Sequence, residues 1–233
     1  MWYWGIQFLR QCTHKNMEVN TLRKHRLSIY SQKCFHQLVD ETNISYHKNK
    51  KGLIYFFRTR ESFQEGKQKL AMLEPVMKNL QLLNRTELFQ LEPALDQIQT
   101  KIFGGIYCPT DESGSCRDFT LELIKICKGK GASFHFNTTI LNVEKNKHRI
   151  NKIITNKGDF QADNYVLACA VFSPFIARMV GDYLPIYPVK GYSITLPILD
   201  QEKAPEHSGI DEDNLLAFSL LGDKIRFTSV AEI

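Results

Sequence analysis

The sequence lacks the patterns that would indicate a metal site, a disulfide framework or a membrane-spanning helix. Its six cysteines are scattered, with no Cys-x-x-Cys pair and no histidine at metal-ligand spacing. No run approaches the roughly 18 apolar residues that a membrane span needs. Basic and acidic residues are intermixed rather than segregated into a basic stripe, which argues against nucleic-acid binding. We therefore expect a cytoplasmic globular protein with reduced cysteines and no resident metal.

The sequence also lacks a glycine-rich phosphate loop. Its glycine clusters at 104–105 and 129–131 follow neither the Gly-x-Gly-x-x-Gly nor the Walker A spacing. A nucleotide-binding βαβ unit needs such a loop, because the amides at the helix N-terminus hold the pyrophosphate. Any dinucleotide site in this chain is therefore expected to lack its pyrophosphate cradle.

The stretch GGIYCPTDESGSCRDFT, residues 104–120, predicts the end of a strand, a structured turn and the start of a helix. Pro109 presets φ and Gly114 tolerates positive φ, while Asp111 can bond back to nearby amides, so we interpret all three as turn formers. The alternation at 132–136 predicts a strand directly after the helix. So short a connection is half of a βαβ crossover and predicts a parallel strand pair.

The rest of the chain alternates between two kinds of pattern. The predicted elements are a helix at 18–39, a hairpin of 44–46 with 53–58, a helix from Thr59 or Ser62 to Pro75, a strand at 80–83, a helical turn from Thr86 to Pro93, a meander at 140–144, 152–155 and 160–162, a strand buried on both faces at 163–170, a helix at 174–180, and a hairpin of 215–220 with 224–229. Antiparallel patterns flank an α/β middle, so the predicted fold class is α/β with α+β.

Four segments carry a resemblance to a known family. They are GGIYCPTDESGSCRDFT, YVLACAVFSP, LPIYPVKGYSITLPI and GDKIRFTSVAEI, in that order. Over essentially its whole length the chain resembles the D-amino-acid dehydrogenase small subunits (DadA-like) of the D-amino-acid oxidase superfamily. It does so as an internal piece, since the family's N-terminal Gly-x-Gly-x-x-Gly segment and C-terminal flavin segment would lie outside it.

The resemblance implies a partial FAD-binding domain interleaved with a substrate domain. The first would be of the two-dinucleotide-binding, Rossmann-like type with a β-meander, and the second an antiparallel sheet. The implied parts are a helical segment at 1–43, a first part of the substrate domain at 44–100, the FAD-domain portion at 101–184 and a second part of the substrate domain at 185–233.

The resemblance also implies an activity: FAD-dependent oxidative deamination of free D-amino acids to 2-oxo acids and ammonia, with electrons passed to the membrane respiratory chain. This places the protein in the cytoplasm or peripherally on the inner face of the bacterial cell membrane. We expect the chain to be inactive alone. Two alternatives stay open: a non-catalytic remnant or partner-dependent subunit, with a second chain supplying the flavin cradle, and a flavin amine oxidase of the glycine or sarcosine type.

Three residues match cofactor-binding positions of the family. Val143 matches the position whose backbone contacts adenine, and Ala168 and Ala170 match the small-residue motif where a strand approaches the cofactor. The family usually has glycine at the second alanine position. Ala170 therefore places a Cβ where the backbone would approach the cofactor.

Three further residues match the loop that returns to the family's substrate domain: Lys190, Gly191 and Tyr192. The resemblance makes Tyr192 a candidate to line the active site and Lys190 a candidate partner for the substrate carboxylate. A packed sheet tyrosine and a solvated lysine are the structural alternatives. No histidine lies in an acid–base constellation, so the sequence identifies no catalytic residue.

Overall fold

The computed structural model of the chain describes residues 2–73, 79–147 and 149–232. The helices are Trp2–Gln11 (α1), His14–Thr42 (α2), Arg60–Leu73 (α3), Arg85–Leu91 (α4), Cys116–Gly129 (α5) and Ser173–Met179 (α6), with 3₁₀ segments at Pro93–Lys101, Ala170–Phe172 and Gln201–Lys203. The strands are Leu53–Phe57 (β1), Gln81–Asn84 (β2), Gly104–Cys108 (β3), Ile140–Lys145 (β4), Ile150–Thr155 (β5), Gly158–Phe160 (β6), Lys190–Pro197 (β7), Ser208–Asp211 (β8), Leu216–Leu221 (β9) and Lys224–Glu232 (β10).

The chain divides into two compact units. Residues 14–127 and 190–232 form one, which we call the large-sheet unit, and the described residues of 1–13 and 128–189 form the other, the meander unit. The four-part division given by the family resemblance stays a prediction.

The large-sheet unit is built on seven strands in the order β2-β3-β1-β8-β9-β10-β7. Every neighbouring pair is antiparallel except β1 with β8. Successive side chains of a strand point to opposite faces, so β1 sends Ile54 and Phe56 to one face and Tyr55 and Phe57 to the other. The predicted mixed class, α/β with α+β, is confirmed.

Both faces of this sheet are packed around β1. One face carries the main core, whose buried members are Ile54, Phe56, Leu83, Leu88, Leu95, Ile102 and Phe218. The other face packs Phe57 and Ile106 against Phe63 of α3. Helix α4 begins at a capping box, because the Asn84 side chain accepts from the amide of Glu87 while the Glu87 carboxylate accepts from the amide of Asn84.

A third cluster joins α2 to α5 within the large-sheet unit. Val39 of α2 packs with Ile44 and Tyr46, and Phe35 and Phe119 cover them. Tyr46 therefore lies in a helix-packing core rather than in a strand. The aromatic rings of this cluster meet edge-on or tilted, an arrangement that aromatic pairs favour.

The meander unit holds a three-stranded antiparallel sheet, β4-β5-β6, as predicted. Val143 of β4 is buried, and α6 packs against the same strand. Trp4 of α1 stacks on Tyr187. Many large apolar side chains stay exposed here, with Val166 90% accessible and Phe172 67%.

Three expectations about strand pairing are wrong. Residues 132–136 and 163–170 form no strand, and the helix α5 is therefore not half of a βαβ crossover: β3 pairs antiparallel with β1 and β2. The expected hairpin of 44–46 with 53–58 does not form either, because β1 pairs with β3 and β8 instead. A strand needs a hydrogen-bonded neighbour, and the described residues offer none to these segments.

Candidate functional site

Two of the predicted substrate residues meet a carboxylate that sequence reasoning missed. The Tyr192 hydroxyl donates to Glu232 Oε2 at 2.7 Å, and Lys190 Nζ donates to the same oxygen at 3.2 Å. The Tyr192 hydrogen bond and then the Lys190 ammonium hold the pKa of Glu232 below its usual range. All three side chains are exposed. The cluster therefore presents one cation, one anion and one phenol side by side.

A β-bulge places Glu232 in this cluster. Strand β10 pairs with β7 in one register up to Ser229 and in a shifted register from Ala231, with Val230 at φ +62° between them. A bulge re-aims the side chains that follow it, and here it sets Glu232 opposite Lys190. Gly191 pairs with Ala231, and a Cβ on it would meet no atom within 4 Å. The sequence could have indicated Glu232 only if the pairing of β7 with β10 and its register were known. No local pattern gives that register.

The predicted adenine contact, Val143, lies in the middle of β4. Its side chain is buried and pairs with Ile153 across the sheet, and its amide donates to Asn142 Oδ1 at 2.9 Å. A core valine and a backbone contact to a cofactor are compatible, because burial uses the side chain alone. The cofactor role of Val143 stays a prediction.

The two predicted alanines lie just before α6: Ala168 has no regular secondary structure, and Ala170 begins the 3₁₀ segment Ala170–Phe172. Both are exposed, and Ala170 has φ +45°. This is the left-handed region, which favours glycine because it lacks a Cβ. The conformation at Ala170 is thus one that suits the glycine expected there from the family resemblance, although this chain carries a methyl group.

These residues supply only part of what a flavin site needs. The sequence has no glycine-rich turn to receive a pyrophosphate, and Ala170 carries a Cβ at the position that is predicted to approach the cofactor. Within the described ranges no three His, Cys, Asp or Glu side chains are placed to hold a metal ion. No helix in the described part of the chain is both long and apolar enough to cross a membrane.

Two buried carboxylates of the large-sheet unit, Asp211 and Glu92, accept several hydrogen bonds each. Asp211 Oδ2 accepts from Arg58 Nε at 2.8 Å and Nη2 at 2.6 Å and from Asn214 Nδ2 at 2.8 Å. Burial alone would raise the pKa of Asp211, but these hydrogen bonds and the Arg58 charge outweigh it, so the pKa lies below its usual value. Glu92 Oε2 accepts from the backbone of Glu206 and from the amide and Nδ1 of His207.

The chain matches a known protein family over almost its whole length. The profile of the FAD-dependent oxidoreductases of the DAO family matches residues 6–231. The chain belongs to this family. Curated relatives match along nearly the whole chain: D-amino acid dehydrogenase 2 of Mesorhizobium japonicum is 36% identical over 230 residues, 98% of this chain and 55% of that protein. D-amino acid dehydrogenase of Neisseria meningitidis serogroup A is 38% identical over 232 residues, 100% of this chain and 55% of that protein.

Solved structures of this fold agree with the family assignment. Glycine oxidase from Geobacillus kaustophilus superposes with a TM-score of 0.75 at 20% identity, covering 91% of this chain and 55% of that one. L-proline dehydrogenase from P. horikoshii gives 0.73 at 17% identity, covering 87% and 54%. Identities this low show the fold alone. The chain spans about half the length of the curated relatives that it matches.

Proposed function

We propose that this chain is the substrate-binding part of an FAD-dependent D-amino-acid dehydrogenase. The observation that carries the proposal is the 36–38% identity, over the whole chain, to proteins named D-amino acid dehydrogenase. The proposed reaction is the oxidative deamination of a free D-amino acid to a 2-oxo acid and ammonia, with FAD as the family's electron acceptor. A respiratory-chain acceptor at the inner face of the bacterial cell membrane is the proposed destination of the electrons.

The proposed substrate contacts are Lys190, Tyr192 and Glu232. A free amino acid carries a carboxylate and an ammonium, and Lys190 and Glu232 offer the opposite charges a hydrogen-bond length apart. The Tyr192 hydroxyl, which donates to Glu232 in the free chain, is proposed to donate to the substrate carboxylate when substrate binds. Gly191 leaves the backbone between them uncrowded. Charge complementarity of this kind selects a zwitterion over a simple acid or amine.

The proposed cofactor contacts are Val143, Ala168 and Ala170, and a second polypeptide is proposed to supply the missing cradle. The two alanines supply no charged group for the pyrophosphate, so the chain should not retain flavin by itself. Absorbance between 350 and 500 nm after incubation with FAD and gel filtration tests this, with a flavin band expected only when the cradle is provided. A flavin band on the chain alone would show that it is an FAD-binding enzyme without help.

The substrate is tested by dye reduction. The chain is co-expressed with the flavin-binding segments of the Neisseria relative and assayed with D-alanine and with sarcosine. We expect reduction with D-alanine and little with sarcosine; the reverse order would support an amine oxidase of the glycine or sarcosine type. If neither substrate reduces the dye although flavin is bound, the chain is a non-catalytic subunit.

The cluster itself is tested in the same assay. Glu232→Gln removes a charge-assisted contact to the substrate ammonium, so KM for D-alanine should rise about tenfold. Asp223→Asn, an exposed acid in the turn between β9 and β10, is the matched control and should leave KM unchanged. Equal effects of the two variants would contradict the role of Glu232.

A further inference from the structure

A separate cavity lies between α3 and the sheet of the large-sheet unit. It measures about 220 Å³. Its lining is mainly apolar and aromatic, and the described residues that form its walls include Tyr55 and Phe57 of β1, Ile106 and Cys108 of β3, and Leu70 of α3. For comparison, an apolar cavity of about 150 Å³ holds benzene. The space therefore suits a molecule with a single ring or a short alkyl chain.

A glycine in α3 shapes this cavity. Gly66 is buried, and a Cβ at that position would lie 2.4 Å from Phe57 Cζ. Glycine in a helix interior costs about 1 kcal/mol relative to alanine, and here it lets the helix lie directly against the aromatic ring. The wall between α3 and β1 is thus closely packed, and the cavity opens beside it.

Charged groups lie at the edge of the apolar lining. Asp111 and Glu212 contribute to the walls, and Lys69 of α3 is the basic residue among the described lining residues. Within residues 2–73, 79–147 and 149–232, none of these three forms an ion pair. Two carboxylates against one exposed ammonium leave the cavity with a net negative charge.

The phenol of Tyr55, which lines the cavity, is affected by the same carboxylates. Burial, then electrostatic repulsion from Asp111, Cys108 (when ionised) and Glu212, raises the pKa of Tyr55 to about 12. Burial also raises the pKa of the Cys108 thiol, which keeps it neutral. Burial disfavours any charge inside the cavity, whereas the carboxylates of Asp111 and Glu212 at its edge disfavour an added anion and favour a cation placed beside them.

The cavity is distinct from the Lys190–Tyr192–Glu232 cluster because the two lie on opposite faces of the sheet. The register runs Ile54–Gly209–Phe218–Phe227–Ile194 across five strands, so these residues share a face. Tyr192, two residues from Ile194 on β7, belongs to that face as well. Tyr55 and Ile106, which line the cavity, alternate with Ile54 and Tyr107 and face the other way.

We propose that this cavity is a second ligand site, which binds a small primary amine with an aromatic or alkyl body. Its ammonium would lie near Asp111 and Glu212, and its apolar body against Tyr55, Phe57 and Leu70. A carboxylate on the ligand would meet two like charges, so the site selects amines that lack the acid group of an amino acid. This ligand class differs from the zwitterionic substrate proposed for the other face.

Binding is tested on the 233-residue chain by saturation-transfer NMR and calorimetry at neutral pH. The probes are benzylamine, the neutral isostere benzyl alcohol and the anion phenylacetate. We expect benzylamine to bind about tenfold more tightly than benzyl alcohol, as a charge-assisted contact implies, and phenylacetate not to bind. Equal binding of amine and alcohol, or tighter binding of the acid, would overturn the proposal.

Variants locate the binding. Glu212→Gln should weaken benzylamine about tenfold, whereas Glu65→Gln, an exposed acid of α3 outside the cavity, should leave it unchanged. Leu70→Phe fills the space and should abolish binding of benzylamine while the far-UV circular dichroism stays native. Undiminished binding to a folded Leu70→Phe variant would place the amine elsewhere and contradict the site, and so would equal losses in the two glutamine variants.

Discussion

The two units of this chain use apolar residues in opposite ways. In the large-sheet unit, Leu88 and Ile54 are 0% and 1% exposed in the main core on one face of the sheet, and Phe57 is buried on the other face. In the meander unit Val143 is buried, but Val166 and Phe172 are largely exposed. The contrast shows that an apolar run becomes a core only where another element covers it. The unit with the packed sheet should therefore carry most of the stability.

The largest expected contrast comes from truncating one apolar side chain in each unit. Leu88→Ala empties the centre of the main core and should lower the free energy of unfolding by about 3 kcal/mol. Val166→Ala removes an exposed side chain and should change it by less than about 0.5 kcal/mol. Urea denaturation of both variants measures the two values. Similar losses would contradict the contrast.

Asp211, one of two buried carboxylates among the described residues of the large-sheet unit, should contribute strongly to the loss of stability at low pH. The pKa of Asp211 is lowered in the folded state, so its contribution is present above the unfolded pKa of about 3.9 and is lost as the pH falls through the folded value. Asp211→Asn leaves the Arg58 charge without its partner and should cost about 3 kcal/mol at neutral pH.

The pH dependence of Asp211→Asn provides the second half of that test. Unfolding of the variant, followed from pH 7 to pH 2, should have a flatter acid limb than the parent chain. Asp163→Asn, an exposed acid of the meander unit, should reproduce the parent curve. An unchanged acid limb in Asp211→Asn would mean that Asp211 is not stabilised by its hydrogen bonds.

Sequence patterns predicted the elements whose signals are local. The α2 and α5 helices, the β4-β5-β6 meander and the β9-β10 hairpin follow from apolar spacing and turn residues within a short stretch. The pairing of β1 with β8 joins residues more than 150 positions apart, and no local pattern encodes it. The apolar run at 163–170 has the composition of a buried strand, which is why the sequence predicts one there. A strand is buried only when neighbouring elements cover it, and composition does not show whether they do.

The candidate site was only partly visible in the sequence for the same reason. Lys190, Gly191 and Tyr192 are contiguous and could be matched to the family's motif. Glu232 is 40 residues beyond Tyr192 and reaches it through a bulge at Val230. The amine cavity combines β1, β3, α3 and Glu212, so it exists only after the sheet has formed.

A smaller effect is expected at the start of α4. Asn84 accepts from the Glu87 amide at 3.0 Å, although the sequence pointed to a helix beginning near Thr86. Asn84→Ala removes the cap and should destabilise the large-sheet unit by about 1 kcal/mol. Gln90→Ala, an exposed site in the same helix, should be nearly neutral. Thermal unfolding compares them, and equal shifts in Tm would argue against the capping box.

The smallest effect is expected in the meander unit, at Ala170. Its φ of +45° is strained for an alanine, so Ala170→Gly should stabilise the local turn. The net gain should be less than about 1 kcal/mol, because glycine loses more conformational entropy on folding than alanine does. Ala168→Gly is the control, since its backbone is not in the left-handed region, and should be neutral or destabilising. Amide exchange at Phe172, whose N–H bonds to the Cys169 carbonyl, measures the change; faster exchange in Ala170→Gly would contradict it.

Native-state amide hydrogen exchange on the 233-residue chain tests most directly the difference between a packed sheet and uncovered apolar segments. The amides of Ile54, Phe56 and Ile106 should exchange slowest, near the global unfolding rate. Those at 132–136 and 165–168 should exchange orders of magnitude faster, because no strand pairs with them in the described structure. Slow exchange at 165–168, matching that of β1, would show a paired and buried strand there and contradict the account.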